Sequence, residues 1–145
     1  MTRDFNVFVV ACAVLFASFG LHATLRAQAQ TAADGVYIEA QATRGATLYG
    51  EQCASCHGED MTGVADLFPA LVGDTFVTNW QGKSVGDLFE KISLTMPGLA
   101  PGSLMPEQVA DLVAHTLSVL KYPAGTAELT SDVEVLKAIT IDAPQ

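Results

Sequence analysis

The sequence is poor in cysteine and in basic residues, and both shortages exclude whole classes of protein. Of three cysteines in 145 residues, Cys12 lies in an apolar N-terminal stretch. Cys53 and Cys56 are three positions apart, too close together to close a long loop, so the chain is not a disulfide scaffold. Lysine and arginine number seven against sixteen aspartate and glutamate residues, a formal net charge of −9. Phosphate binding needs a basic surface, so nucleic acid is not a partner.

The N-terminal residues predict export. Phe5 to Leu21 is almost wholly apolar, and the small-x-small run Ala27-Gln28-Ala29 follows. This is the pattern of a secretory signal peptide, cleaved after Ala29 or, alternatively, after Ala23. The apolar stretch is near the lower limit of about 17 to 25 residues for a membrane span, so an uncleaved anchor is the competing interpretation. In either case the remaining chain lies in the periplasm, and it contacts the membrane only if the anchor is kept.

Cleavage would make the protein more acidic. Residues 1–29 contain Arg3, Arg26 and Asp4, so the mature chain keeps five basic and fifteen acidic residues, a net charge of −10. The excess of negative charge has two equally good interpretations. It allows docking to a basic surface on a partner protein, or it simply keeps the protein soluble.

No alternating strand pattern persists along the sequence, and the apolar spacing is helical, so the fold class is all-α. The helices are short, and something apolar is expected between them. Helices are predicted from near Ala40 to Cys53, over Thr75–Trp80 with Asp74 as cap, from a capping box at Ser84–Asp87 to Thr95, from Pro106 to near Lys121, and over 132–138.

The chain is expected to form one domain with three further segments, two before it and one after it. Its parts are a signal peptide at 1–29, an exposed lead-in at 30–39, a helical domain at 40–122, and a C-terminal extension at 123–145 that packs on the domain or trails from it.

The pentapeptide Cys53-Ala54-Ser55-Cys56-His57 carries the chemistry. C-x-x-C-H is the attachment signature of c-type haem. The spacing lets two thiols form thioether bonds with two vinyl groups on one edge of the porphyrin. The next residue, His57, is then brought beneath the iron as its proximal ligand. The sequence therefore predicts one haem c, covalently bound through Cys53 and Cys56.

Two other uses of a cysteine pair fit less well. A thioredoxin-like dithiol requires a βαβ context, which the sequence does not show. A structural zinc site requires four ligands. Beyond Cys53, Cys56 and His57, the mature chain offers only His115 as a soft or imidazole donor, and the spacing is not that of a zinc site.

From about Ala40 to Lys121 the chain resembles a class I c-type cytochrome. The motif C-x-x-C-H is highly specific, and the weaker matches follow in the order of the family. The matching residues are Gly45, Tyr49, Cys53 to Gly58, Pro69-Ala70-Leu71, Trp80, Thr95-Met96-Pro97 and the helix from Pro106. The resemblance implies the cytochrome c fold, with short helices wrapped around one covalent haem.

The resemblance also implies a methionine as the second iron ligand. Met61 is four residues from His57, and a chain spans at most about 3.6 Å per residue, so it is a poor candidate. Met96, in a loop held by proline and glycine, is the preferred ligand. Met105 stays open, because it stands where the family has a polar helix cap. His115 departs from the family's aromatic residue and is the alternative bis-histidine ligand.

Further roles follow from the resemblance alone. The carbonyl of Pro69 is expected to accept a hydrogen bond from the ligand histidine, and Leu71 to contact the haem. Trp80 is expected to contact a haem propionate, against simple core packing. Gly45 and Tyr49 are expected to let the first helix cross closely over the last.

Two functions are compatible with these residues. With two protein ligands the iron has no open position, which suits a single-electron carrier between a dehydrogenase and a respiratory acceptor such as a terminal oxidase, and not an enzyme. The tail from Tyr122 to Ile139 resembles extensions on cytochromes allied with quinoprotein dehydrogenases, which suggests such a partner. The alternative is a haem protein with an open or labile sixth site that binds a small ligand or reduces peroxide.

Overall fold

A computed structural model describes residues 30–143, so the predicted signal segment at 1–29 lies outside the described residues. Within this range the protein is built from six short helices, and the predicted all-α class is confirmed. They are α1 (Glu39–Gln52), α2 (Ala54–His57), α3 (Gly73–Trp80), α4 (Val85–Thr95), α5 (Pro106–Val119) and α6 (Val133–Lys137). Of the helices in this range, none is both long and apolar enough to cross a membrane.

Two very short strands join the two ends of the described chain. Strand β1 (Gln30–Thr31) pairs in parallel with β2 (Ile139–Thr140), with Gln30 beside Ile139. A 3₁₀ turn at Ala32–Asp34 follows β1 directly. Two-residue strands are too short to show an alternating pattern, so the sequence could not reveal them.

The helix ends follow local chemistry where a capping side chain is present. At the start of α4 the Ser84 amide donates to the Asp87 carboxylate at 2.8 Å, and the Asp87 amide donates to the Ser84 hydroxyl at 3.0 Å. This is the predicted capping box, and α4 ends at Thr95 as expected. Helix α5 begins with Pro106.

Two local expectations need correction. Asp74 was expected to cap α3, but the helix already begins at Gly73, so Asp74 lies inside its first turn. Val72 occupies the cap position and supplies no side-chain hydrogen bond. The one-turn helix α2, which contains the haem motif except for Cys53 at its cap position, was not predicted, because four residues are too few to show a helical period.

The closest helix contact is the crossing of α1 over α5 at Gly45. A β-carbon placed on Gly45 would lie 1.9 Å from the carbonyl oxygen of Asp111 and 2.8 Å from the β-carbon of His115. The two helix backbones therefore touch, as expected from the family resemblance. Arg44 spans the crossing, with its guanidinium 2.9 Å from Asp111 and 3.1 Å from Glu128.

The lead-in at 30–39 is not exposed as expected. Ala32, Val36 and Tyr37 are buried in the main core. The Tyr37 hydroxyl donates to the carbonyl of Tyr122 at 2.7 Å. The Gly125 amide, in the C-terminal extension, donates to the carbonyl of Tyr37 at 2.6 Å. The prediction was wrong because the extension and the end of the helical domain cover the lead-in, a contact between segments that are far apart in sequence.

The extension at 123–145 packs on the domain over its described part. Gln41 of α1 holds it in both directions: its amide nitrogen donates to the carbonyl of Leu129 at 2.9 Å, and its amide oxygen accepts from the Leu129 amide at 2.7 Å. Leu136, Ile139 and Ile141 are buried in the same core as α4 and α5. Lead-in, helices and extension therefore share one core.

The crossing at Gly45 gives a direct test of this packing. We expect Gly45→Ala to lower the free energy of unfolding by about 1–3 kcal/mol, because the added methyl group overlaps the backbone of α5. The matched control is Gly50→Ala in the same helix, where an added β-carbon meets no atom within 4 Å. The control should stabilise the protein by about 0.5–1 kcal/mol. Urea unfolding of both variants measures the difference, and equal effects would contradict the close crossing.

Candidate haem site

A cavity of about 410 Å³ opens between the helices, within the range of about 300–1,000 Å³ typical of cofactor sites. Its walls are mostly apolar. All seven residues predicted to bind the cofactor or the iron line it, namely Cys53, Cys56, His57, Pro69, Leu71, Trp80 and Met96. The fold therefore gathers into one cavity residues that are spread over more than forty positions of the sequence.

The two cysteines are presented by the junction of α1 and α2. The Cys53 amide donates to the carbonyl of Tyr49 at 2.9 Å, and the His57 amide donates to the carbonyl of Cys53 at 2.9 Å. Both thiols are free and partly exposed. Burial, and then the nearby Cys56, raises the pKa of the Cys53 thiol. Cys53 is thus neutral at pH 7, and the apolar wall carries no thiolate there.

His57 is buried, and one hydrogen bond sets the orientation of its ring. Nδ1 lies 2.9 Å from the carbonyl oxygen of Pro69. A carbonyl only accepts, so in the neutral ring Nδ1 carries the proton and Nε2 keeps its lone pair. Such a hydrogen bond fixes the tautomer and raises the basicity of a metal-binding histidine. The contact predicted for Pro69 is present. The Phe68 ring also packs against the His57 ring in an edge-to-face arrangement, at 6.2 Å between centroids.

Of the methionines within residues 30–143, Met96 alone lines the cavity. It follows directly after α4, its amide donates to the carbonyl of Ile92 at 2.9 Å, and its own carbonyl accepts from Gly102 at 3.3 Å. Met61 is buried in a separate cluster with Tyr49. The arrangement favours Met96 as a ligand to a group in the cavity.

Met105 stands outside the cavity, with 60% of its surface exposed. It occupies the cap position of α5, where a polar residue was expected. The side-chain oxygen of Gln108 accepts from the Met105 amide at 2.9 Å and so supplies half of a capping box. This contact explains how the helix start tolerates a methionine.

His115, the alternative ligand, also lies outside the cavity. Its ring packs against the Tyr49 ring at a centroid distance of 5.5 Å, beside the crossing at Gly45. Burial lowers the pKa of the imidazole. His115 therefore belongs to the packing of α1 on α5 in this structure.

Trp80 lies at the end of α3, with its ring 5.9 Å from that of Phe76 and with the ammonium of Lys83 4.8 Å above it. Its side chain lines the cavity and also packs against the main core. Its contact with a propionate stays a prediction.

Sequence reasoning missed more than half of the lining. The missed residues are Tyr49, Gln52, Leu67, Phe68, Ala70, Phe76, Asn79, Leu88, Lys91, Ile92, Pro97, Gly98, Leu112 and Thr116. Some were within reach: Leu88 and Ile92 recur four residues apart on the predicted helix, which places them on one face. Leu67 and Phe68 lie in a loop, where no period exists to reveal them.

Comparison with known proteins assigns the chain to a family. The family described as "Cytochrome C oxidase, cbb3-type, subunit III" matches residues 40–115. The chain belongs to this family of c-type cytochrome domains. It is an electron-transfer haem protein and not an enzyme. The fructose dehydrogenase cytochrome subunit of Gluconobacter japonicus is 32% identical over 119 residues. These residues cover 71% of this chain but 23% of that protein, so the chain spans less than a quarter of its relative. No solved structure gives a significant match.

The residues present fit the haem c that this cytochrome family carries. The cavity is large and apolar, two free thiols line it, and the tautomer of His57 leaves Nε2 free to bind a metal. A thioether side chain, Met96, lines the same cavity. Imidazole nitrogen and thioether sulfur are the axial donors of cytochromes c.

The half-buried histidine outside the site, His115, predicts a pH dependence of stability. Burial lowers the pKa of His115 in the folded protein, while an unfolded histidine titrates near pH 6.5. The stability that neutral His115 contributes is therefore complete above about pH 6.5. It is lost as the pH falls through the lower folded pKa, since the unfolded state then binds the extra proton. We expect urea unfolding to show a smaller loss of stability on acidification in His115→Gln than in the wild type. An identical loss of stability in the variant and the wild type would contradict the lowered pKa of His115 as its cause.

Proposed function

We propose that this chain carries one haem c, bound through Cys53 and Cys56 and ligated by His57 and Met96, and that it shuttles single electrons in the periplasm. The observation that carries the proposal is that all four of these side chains line the same cavity, with the tautomer of His57 held by the carbonyl of Pro69. When bound, the haem supplies a one-electron couple.

The protein's own part in this function is to hold the two axial side chains. His57 is oriented by Pro69 from a separate loop. Met96 is held by backbone hydrogen bonds on both sides, to Ile92 and from Gly102. A thioether is a weak ligand, so a backbone already ordered by such contacts lowers the entropy lost on binding. Two ordered ligands leave no position for a substrate, which favours electron transfer over ligand binding.

The apolar wall supports the same function. Phe76, Leu88, Ile92 and Leu112 keep water away from the cavity interior. A buried haem with a methionine ligand has a raised reduction potential. The chain would then accept electrons from a dehydrogenase and release them to a respiratory acceptor at higher potential.

The electron donor is proposed from the relative. That protein is named as the cytochrome subunit of a fructose dehydrogenase. A dehydrogenase is therefore the donor that we propose for this chain, and the resemblance of the tail points to the quinoprotein class. A terminal oxidase or another respiratory protein is the proposed acceptor. The periplasmic location is part of this proposal and is supported by the signal peptide predicted at 1–29.

The ligand assignment is tested by the optical spectrum of the oxidised protein, matured in the periplasm. We expect a weak near-red charge-transfer band, which reports a bond between methionine sulfur and ferric iron. Met96→Ala should abolish this band, because no other methionine of residues 30–143 lines the cavity. Met105→Ala is the matched control and should leave it unchanged.

Two results would contradict this assignment. If Met96→Ala kept the band and Met105→Ala lost it, the loop before α5 would rearrange around the haem and Met105 would be the ligand. If the wild type lacked the band and were high-spin, the sixth position would be open. The function would then be ligand binding or peroxide reduction.

The proposed donor is tested by affinity purification of the tagged full-length chain from its native cells. We expect a dehydrogenase to co-purify and its substrate to reduce the ferric chain. Since the chain is strongly acidic, the reduction rate should fall as salt rises. A chain that purifies alone and is reduced at a salt-independent rate would contradict a stable, electrostatically guided complex.

A further inference from the structure

We propose that Lys91 pairs with a carboxylate of the haem at the rim of the cavity and raises the reduction potential of the protein. This inference rests on the proposed haem site. It concerns a residue that neither the sequence motifs nor the family match singled out.

Lys91 occupies the cavity-facing side of α4. Leu88, Lys91 and Ile92 stand at positions i, i+3 and i+4 of this helix, and all three line the cavity. Leu88 is buried, Ile92 is half-buried and Lys91 is exposed. A lysine in such a place lays its methylene groups along an apolar wall and keeps its ammonium in water at the rim.

The lining as a whole is suited to an anion. None of its residues is aspartate or glutamate, although the chain contains sixteen acidic residues. Lys91 is the one lysine or arginine among the residues that line the cavity. The indole of Trp80 can only donate a hydrogen bond, and the amides of Asn79 and Gln52 each offer two donor hydrogens. Donors and one cation thus gather at a cavity that contains no carboxylate of the protein.

Lys91 is also free to pair. The ion pairs found among residues 30–143 join Arg44 to Asp111 and Glu128, and Lys137 to Glu90 and Glu134. The acidic neighbour of Lys91 on α4, Glu90, is therefore already paired with Lys137 at 3.1 Å. The described part of the chain offers Lys91 no ion-pair partner of its own.

A haem brings the missing anions, because it carries two carboxylate side chains. A carboxylate at an apolar cavity loses hydration, and a cation with further donors beside it offsets this cost. A fixed positive charge near the haem also favours the reduced state, which carries one positive charge less. Lys91 therefore acts on the potential through the carboxylate edge, without contacting the iron.

The test is the midpoint potential of the haem-loaded protein, measured by optical redox titration. We expect Lys91→Gln to lower the equilibrium constant for reduction of the haem roughly fivefold. At 59 mV per tenfold change, this lowers the midpoint potential by about 40 mV. Lys91→Arg keeps the charge and should restore most of the wild-type potential. Lys121→Gln removes one charge from a residue that does not line the cavity, and should leave the potential nearly unchanged.

The outcomes separate this inference from the proposed function. The near-red band is recorded for every variant, because it reports the methionine ligand independently of Lys91. If all variants keep the band and Lys91→Gln matches Lys121→Gln in potential, the haem site stands and the role of Lys91 is overturned. A shift that Lys91→Arg fails to reverse overturns it as well, since loss of packing and not of charge would then be the cause. A chain that binds no haem overturns both.

Discussion

The close crossing of α1 and α5 is the constraint on which the rest of the structure depends. At Gly45 the two backbones approach so closely that no side chain fits between them. The end of α1 delivers Cys53 and, through α2, His57, while α5 contributes Leu112 and Thr116 to the cavity wall. If the helices moved apart, the histidine and the opposing wall would separate with them. Gly45 lies outside the site. The close helix crossing that it permits nevertheless sets the distance between the cavity residues that follow α1 and those on α5.

The core does not depend on the cofactor alone. Short helices around a cavity were expected to bury little apolar surface by themselves. The lead-in adds Ala32 and Tyr37, and the extension adds Leu136 and Ile141, to the cluster under α4 and α5. The buried pairing of Gln41 with the backbone of Leu129 satisfies polar groups that would otherwise be costly inside the protein. The lead-in and the extension thus supply part of the stability that the six helices lack.

The charges are arranged in a way that complements this architecture. The chain has a net charge of −9, yet no acidic residue within positions 30–143 lines the cavity. The cations Arg44 and Lys137 are committed to ion pairs that join α1, α4 and the extension. The interior of the site is left apolar, with donors and Lys91 at its edge. Such a distribution suits a cofactor that is apolar in its ring and anionic at its periphery.

The sequence by itself determined the chemistry, because the haem motif and the capping box act through neighbouring residues. Cys53, Cys56 and His57, the start of α4 at Ser84–Asp87 and the proline start of α5 are local patterns, and each was predictable. The sequence favoured Met96 and kept Met105 and His115 as alternatives. Which of the three side chains lines the cavity depends on the packing of distant segments, and of these only Met96 does. The lead-in was predicted wrongly, since its burial by the extension is a contact across the whole chain. Tertiary structure alone decided these points, because side-chain environment depends on segments that no local pattern connects.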